Sequence, residues 1–206
     1  SKVLDRVLVL EMVRVTEAAA IAASRLVGRG DEKAADHAAV EAMRKAFDEL
    51  YMDGTVVIGE GERDEAPMLY IGEKVGGAPG RGPKIDIALD PLEGTTITAK
   101  AGPNALAVLA AAEEGCLLNA PDVYMDKLAV GPGYPEGVIS LDKSVTENVR
   151  AVAAAKGVEP NEIIVCVLDR PRHGELIEEL RTLGCGIQLI PDGDVAGVIA
   201  VTDPDT

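Results

Sequence analysis

Carboxylates that follow short apolar runs are the residues of this chain best suited to chemistry. Ile85 to Thr96 reads I-D-I-A-L-D-P-L-E-G-T-T. Apolar and alternating residues lead into Asp90 as in a buried strand, and Pro91 and Gly94 are expected to turn the backbone away at once. Asp90 and Glu93 then lie three residues apart around that turn, and the amides of Gly94, Thr95 and Thr96 can face the same space. Carboxylate oxygens suit a hard divalent cation, and exposed backbone N–H groups suit a phosphate. An Asp-Pro turn without a ligand uses the same residues, so this stretch alone leaves both readings open.

Two further acidic positions are comparable. Val40, Met43, Phe47 and Leu50 form one helical stripe, and Asp36 extends it by a turn at the expected helix start. There it is either an N-terminal cap or a group aimed inward. Thr55 to Ile58 is a β-branched run typical of a strand, and Glu60, Glu62, Asp64 and Glu65 follow in one short loop. Acids at that density repel one another, so either they are solvated or a cation offsets the repulsion. Later, Asp169-Arg170-Pro171-Arg172-His173 and Asp192-Gly193-Asp194 follow two more apolar runs. Arg170 and Arg172 are candidates to fork onto an anionic group such as a phosphate. Asp192 and Asp194 suit sugar hydroxyls, or helix capping in the case of Asp194. His173 and His37 are read as surface or capping residues, since a metal-activated water needs no histidine base.

The elements that must position these groups follow from periodicity. A long helix is expected over Leu4 to Val27, stopped by Gly28 and Gly30, and a second from Asp36 to Gly54. Gly76 to Pro83 reads as a surface loop before the central strand. Asn104 to Ala112 and Gly115 to Leu118 fit a hairpin around Glu113 and Glu114, although the Ala-rich first half also suits a helix. Gly131 to Gly137 is another loop, and Ser144 caps a helix through Lys156 that Gly157 ends. Strand Ile163 to Leu168, helix Leu176 to Leu183, strand Ile187 to Ile190 and a helix from Val195 then form a β-α-β-α unit with a parallel strand pair. The expected class is α/β: an α+β N-terminal part of layered helices and sheet over 1–157, then the start of a second α/β domain over 158–206. Two parallel strands cannot bury both faces alone, and Val201 to Thr206 ends where a third strand is due, so a missing C-terminal part is expected.

Composition narrows the function classes. With 35 acidic against 20 basic residues the formal charge is −15, which opposes nucleic-acid binding through clustered Lys and Arg. No Trp and a single Phe leave no aromatic platform for stacking bases. No apolar run reaches the roughly 18 to 20 residues of a membrane span, and no cleavable leader is visible, so a cytoplasmic protein is expected. Cys116, Cys166 and Cys185 lie in apolar segments and are expected as buried thiols in a reducing compartment, without zinc.

Six motifs in order carry a family resemblance: G-R-G-D-E-K-A-A-D (Gly28 to Asp36), V-I-G-E-G-E-R-D-E-A-P-M-L-Y (Val57 to Tyr70), D-I-A-L-D-P-L-E-G-T (Asp86 to Thr95), N-A-P-D-V-Y-M (Asn119 to Met125), D-R-P-R-H (Asp169 to His173) and I-P-D-G-D-V (Ile190 to Val195). With these the chain resembles the class II fructose-1,6-bisphosphatase family, the bacterial GlpX type, among the lithium-sensitive, metal-dependent sugar phosphatases. The resemblance implies the sugar phosphatase fold and hydrolysis of the 1-phosphate of fructose 1,6-bisphosphate in gluconeogenesis, with Mn²⁺ or Mg²⁺. It implies that Asp36 and Glu60 ligate one metal, and Asp90 and Glu93 a second. Catalytic roles fall to Thr95, Glu60 and Asp90, and substrate contacts to Glu93, Gly94, Thr95, Tyr124, Arg170, Pro171, Arg172, Asp192, Gly193 and Asp194. The implied partner is a small-molecule sugar bisphosphate, with no nucleic acid and no membrane, and a homo-oligomer is expected.

The chain departs from the family pattern at two points. Glu32 stands where the family places Lys directly after the acid of G-x-G-D, with Lys33 next, so no catalytic lysine is assigned. The family is longer, and its later G-G-A-P-E-G segment, which supplies another glutamate for metal, is absent here. The expectation is weaker metal binding and poor or absent activity in the 206-residue form. A sedoheptulose-1,7-bisphosphatase, another sugar or inositol phosphatase, or a non-catalytic sugar-phosphate binder are the competing readings.

Overall fold

A computed structural model of the protein describes residues 6–62, 66–121 and 123–203. Expectations placed on Leu4, Arg63, Asp64, Glu65, Asp122 and residues 204–206 lie outside the described residues. The architecture is α/β, in two compact units, Ser1–Val123 and Tyr124–Thr206.

In the first unit, helix α1 (Arg6–Ser24) buries Leu8, Met12, Val15, Ala19 and Ala23, one stripe at spacings of three and four. Helix α2 (Glu32–Phe47) buries Ala35, Ala39, Val40, Met43 and Phe47. It starts earlier than its apolar stripe suggests, because the Asp31 carboxylate accepts the Ala34 N–H at 2.9 Å and caps it. Asp36 is therefore not the cap of this helix.

The sheet has the order β2-β1-β3-β4, with β1 (Asp53–Ile58), β2 (Lys74–Val75), β3 (Lys84–Glu93) and β4 (Leu106–Glu113). β1 and β3 run parallel, and the outer pairs are antiparallel. Phe47, Met43, Met52, Leu69, Ile85 and Ile87 are fully buried and form the centre of the core. β3 does not end at Asp90, as Pro91 suggests, but continues to Glu93. Asp90 pairs with Val108 and Glu93 with Leu106, so β3 carries one more residue than β4 across this interval. This is a β-bulge, a device common beside active sites. The expected hairpin to Gly115–Leu118 does not form. β4 pairs with β3 instead, and the Asp86 carboxylate takes the Gly115 N–H at 2.8 Å as the chain leaves the sheet.

In the second unit, helix α4 (Val145–Lys156) has a capping box, in which Glu147 N–H donates to Ser144 Oγ at 3.2 Å and Ser144 N–H to Glu147 Oε2 at 2.8 Å. The short helix α3 (Thr95–Ala99) belongs to the first unit. β5 (Ile164–Leu168), α5 (Gly174–Thr182), β6 (Gly186–Ile190) and α6 (Val195–Ala200) complete the second, with β5 parallel to β6. Val149 and Ala153 of α4 share one core with Ile163, Val167, Ile177 and Leu180. The expected division at residue 157 thus falls inside this unit.

Cysteine burial was expected and is not found: Cys116 and Cys166 are exposed, Cys185 is half-buried, and all three are free thiols. Cys166 alternates along a two-stranded sheet that leaves one face open, so an apolar neighbourhood in sequence does not bury it. Among the described residues no helix is long and apolar enough to cross a membrane.

Candidate active site

The parallel pairing of β1 with β3 brings their carboxyl ends side by side, where α/β proteins place ligands. Glu60 follows β1, Asp90 lies near the end of β3, and α2 contributes Asp36 from its second turn. All three are half-buried. Glu60 is pushed up to about 7, first by burial and then by the Asp36 and Asp90 carboxylates. Burial likewise raises Asp36, against the pull of His37. The three residues therefore share one electrostatic field.

Backbone geometry fixes the Glu60 loop. The Glu60 N–H donates to the Leu69 carbonyl at 3.0 Å. A Cβ on Gly59 would stand 2.0 Å from that carbonyl oxygen, so the approach requires glycine. Leu69 itself holds φ at +55°, and its N–H is taken by the Glu73 carboxylate. Glu73 is in turn bonded by Arg44 Nε of α2 at 2.5 Å. These supporting residues carry no local sequence signature, since Arg44 and Glu73 meet only through the tertiary fold.

On β3 the bulge delivers buried Glu93 to Gly94, whose φ of +105° and ψ of 53° start α3 with Thr95 as its first residue. The Asp90 carboxylate accepts the Leu92 N–H at 3.1 Å within the bulge. Gly28 and Gly30 donate to the Thr98 and Ala99 carbonyls at 2.9 and 3.0 Å, tying the G-R-G segment to the end of α3. Asp90, Glu93, Gly94 and Thr95 thus lie on one short segment, and Glu60 is in reach of the charges of both Asp90 and Asp36.

Among the described residues no three His, Cys, Asp or Glu side chains stand close enough to hold a metal ion as they are. The donor set nevertheless fits one: Asp36, Glu60 and Asp90 offer only hard carboxylate oxygen, and burial together with the Asp36 and Asp90 charges favours the protonated form of Glu60. A divalent cation relieves the repulsion among the three once the side chains close in.

The second unit carries the remaining predicted residues at the carboxyl ends of its own parallel pair. Arg170, after β5, donates through Nη1 to the Pro191 carbonyl and through Nη2 to Asp192 Oδ1 at 3.3 Å, bracing the two strand ends. Pro171 opens a single 3₁₀ turn, and the Arg172 guanidinium lies 4.6 Å from the centroid of the exposed Tyr124 ring. Asp194 occupies the position before α6, where its carboxylate meets Lys127 Nζ at 2.7 Å. Gly193 takes φ of +66° between the two acids. His173 Nδ1 lies 2.7 Å from the Leu168 carbonyl, and His37 sits on the exposed side of α2, 3.7 Å from Glu41. Lys127 was not foreseen from sequence. Its proximity in sequence to Tyr124 was the only available signal.

The family of bacterial fructose-1,6-bisphosphatases, glpX-encoded, matches residues 6–206. The chain belongs to this family. It is 54% identical over 201 residues to a protein of Escherichia coli named fructose-1,6-bisphosphatase 1 class 2, covering 98% of this chain and 59% of the relative. The same identity and coverage hold for a Shigella flexneri protein named fructose-1,6-bisphosphatase class 2. The chain therefore spans about three fifths of the length of these GlpX-family relatives.

Proposed function

We propose that the protein hydrolyses the 1-phosphate of fructose 1,6-bisphosphate to fructose 6-phosphate and inorganic phosphate, in the cytoplasm, with Mn²⁺ or Mg²⁺. What supports this reading is the parallel pairing of β1 with β3, whose carboxyl ends carry Glu60 and Asp90 beside the Gly94–Thr95 turn, in a GlpX-family chain. Asp36 and Glu60 hold one cation, and Asp90 and Glu93 a second. Bound there, the metal supplies Lewis-acid activation of water and neutralises charge on the phosphoryl oxygens. Thr95 orients the attacking water through its hydroxyl, and the Gly94 and Thr95 amides take phosphoryl oxygens. The first unit is thus the metal-binding domain. In the second unit Arg170 and Arg172 take a phosphate, Tyr124 keeps Arg172 flat, and Asp192, Gly193 and Asp194 take sugar hydroxyls.

Phosphate release from fructose 1,6-bisphosphate tests the reading. The expected result is turnover that needs Mn²⁺ or Mg²⁺ and falls at least a hundredfold in Asp90→Asn. Unchanged metal-dependent release by that variant would overturn it.

A further inference from the structure

Both acids of the Asp192-Gly193-Asp194 turn are held by cations from other segments of the second unit. Asp192 Oδ1 takes Arg170 Nη2 at 3.3 Å, and Asp194 Oδ2 takes Lys127 Nζ at 2.7 Å. Arg170 follows β5, the strand beside β6, whereas Lys127 comes from a stretch without regular structure far earlier in the chain. That stretch is fastened at three points. Tyr124 lies under the Arg172 guanidinium, 4.6 Å away at the ring centroid. Lys127 reaches Asp194, the residue before α6. Gly131 meets the other end of the same helix so closely that an added Cβ would stand 2.4 Å from the Val201 carbonyl oxygen. Residues 124–131 therefore run alongside α6 as a strap, with Lys127 at the end where the carboxyl termini of β5 and β6 open.

An acid directly before a helix ordinarily turns its carboxylate back onto the first N–H groups of that helix. Asp194 makes no such capping bond with its side chain, and its carboxylate meets Lys127 instead. Stability does not explain the arrangement. The Lys127 side chain is 57% exposed and that of Asp194 35%, and ion pairs at such exposure contribute little to folding. What the pair fixes is direction. A carboxylate returned to the helix has its oxygens engaged by N–H groups, whereas one drawn away from it stays available as an acceptor of hydroxyl protons.

We propose that Lys127 is a positioning residue for the sugar: it keeps the Asp194 carboxylate off α6 and presents it at the carboxyl end of β6, where it accepts sugar hydroxyls. Lys127 acts through Asp194 and does not touch the phosphate, which falls to Arg170 and Arg172. The inference rests on the reading that the second unit takes a sugar phosphate.

Calorimetry in a chelator tests it, with fructose 6-phosphate and inorganic phosphate as the two probes. The parent protein is expected to bind both. Lys127→Met should weaken fructose 6-phosphate about tenfold and leave inorganic phosphate within about twofold, because the hydroxyl acceptor is lost and the arginines are not. The thermal midpoint should be kept, since the pair is exposed. Lys127→Arg, which restores a cation beside Asp194, should recover most of the affinity. Lys127→Met added to Asp194→Ala should cost no more than Asp194→Ala alone, as expected of two residues acting as one unit. Equal losses for both probes would make Lys127 a direct phosphate contact and overturn the positioning role. Unchanged fructose 6-phosphate affinity in Lys127→Met, with a clear loss in Asp194→Ala, would overturn the role of Lys127 and leave the reading of the second unit intact. A parent protein that binds no fructose 6-phosphate would overturn that reading and this proposal together.

Discussion

Arg44 of α2 and Glu73 form an ion pair at 2.5 Å in which the glutamate side chain is 11% exposed. The same glutamate takes the Leu69 N–H, and the Leu69 carbonyl takes the Glu60 N–H, so the pair governs the loop that carries a candidate metal ligand.

Removing Arg44 leaves Glu73 buried without its cation. Arg44→Met is expected to cost about 2 kcal/mol, below the range for fully buried pairs because the arginine is partly exposed. Urea unfolding measures the loss. Weaker Mn²⁺ binding, read by calorimetry, should accompany it, because the Glu60 loop loses its support.

Glu60 makes the metal-free protein sensitive to pH. Its folded-state pKa, about 7, lies above its ordinary value of 4.5. Folding therefore favours the protonated form. The associated stability is complete below about pH 4.5 and is lost as pH rises through 7. The loss is at most about 3 kcal/mol, converting the shift at 1.36 kcal/mol per unit. Denaturant melts in a chelator at pH 5 and pH 8 should show the difference, and Mn²⁺ at pH 8 should restore it. Glu60→Gln should flatten the metal-free profile and abolish the Mn²⁺ effect; an unchanged slope in that variant would refute the assignment.

Gly94 cannot be replaced cheaply. At φ +105° an added Cβ would sit 3.1 Å from Ile97 Cδ1 and 3.4 Å from Ala105 Cα. Gly94→Ala is expected to cost roughly 1 to 3 kcal/mol. Phosphate release should fall by more than that stability loss explains, since the substitution displaces Thr95.

Variants of Arg172 and Tyr124 test whether these residues act in binding or in chemistry. Arg172→Lys keeps the charge but loses the planar stack and the two-pronged grip on an anion. KM for the bisphosphate should rise about tenfold with kcat nearly kept. Tyr124→Leu should raise KM less, because it frees Arg172 without removing it. An equal fall in kcat for either would place these residues in the chemical step instead.

The local parts of the fold were legible because local signals decide them. Ser144, Glu147 and Gly157 define α4 through caps that involve only nearby residues. The start of α2 was misplaced because the apolar stripe fades before the helix does, and Asp31 rather than Asp36 meets the orphan N–H groups. The course of β3 past Pro91 depends on pairing with β4, which no local pattern reveals. Carboxylates at strand ends pointed to Glu60 and Asp90, and one on the core-facing stripe of a helix to Asp36. The supports from Arg44, Leu69 and Glu73 arise from contacts remote in sequence.

The extra residue in β3 changes the parity of the strand. Residues three apart on a regular strand project to opposite faces. Val108 and Leu106, two apart on β4, share a face, and Asp90 and Glu93 lie directly opposite them. Both carboxylates therefore belong to the same side of the sheet. Paired regularly with β4, without the register shift, the same residues would throw one acid to the other side. The site is encoded as a count of residues as much as by their kind.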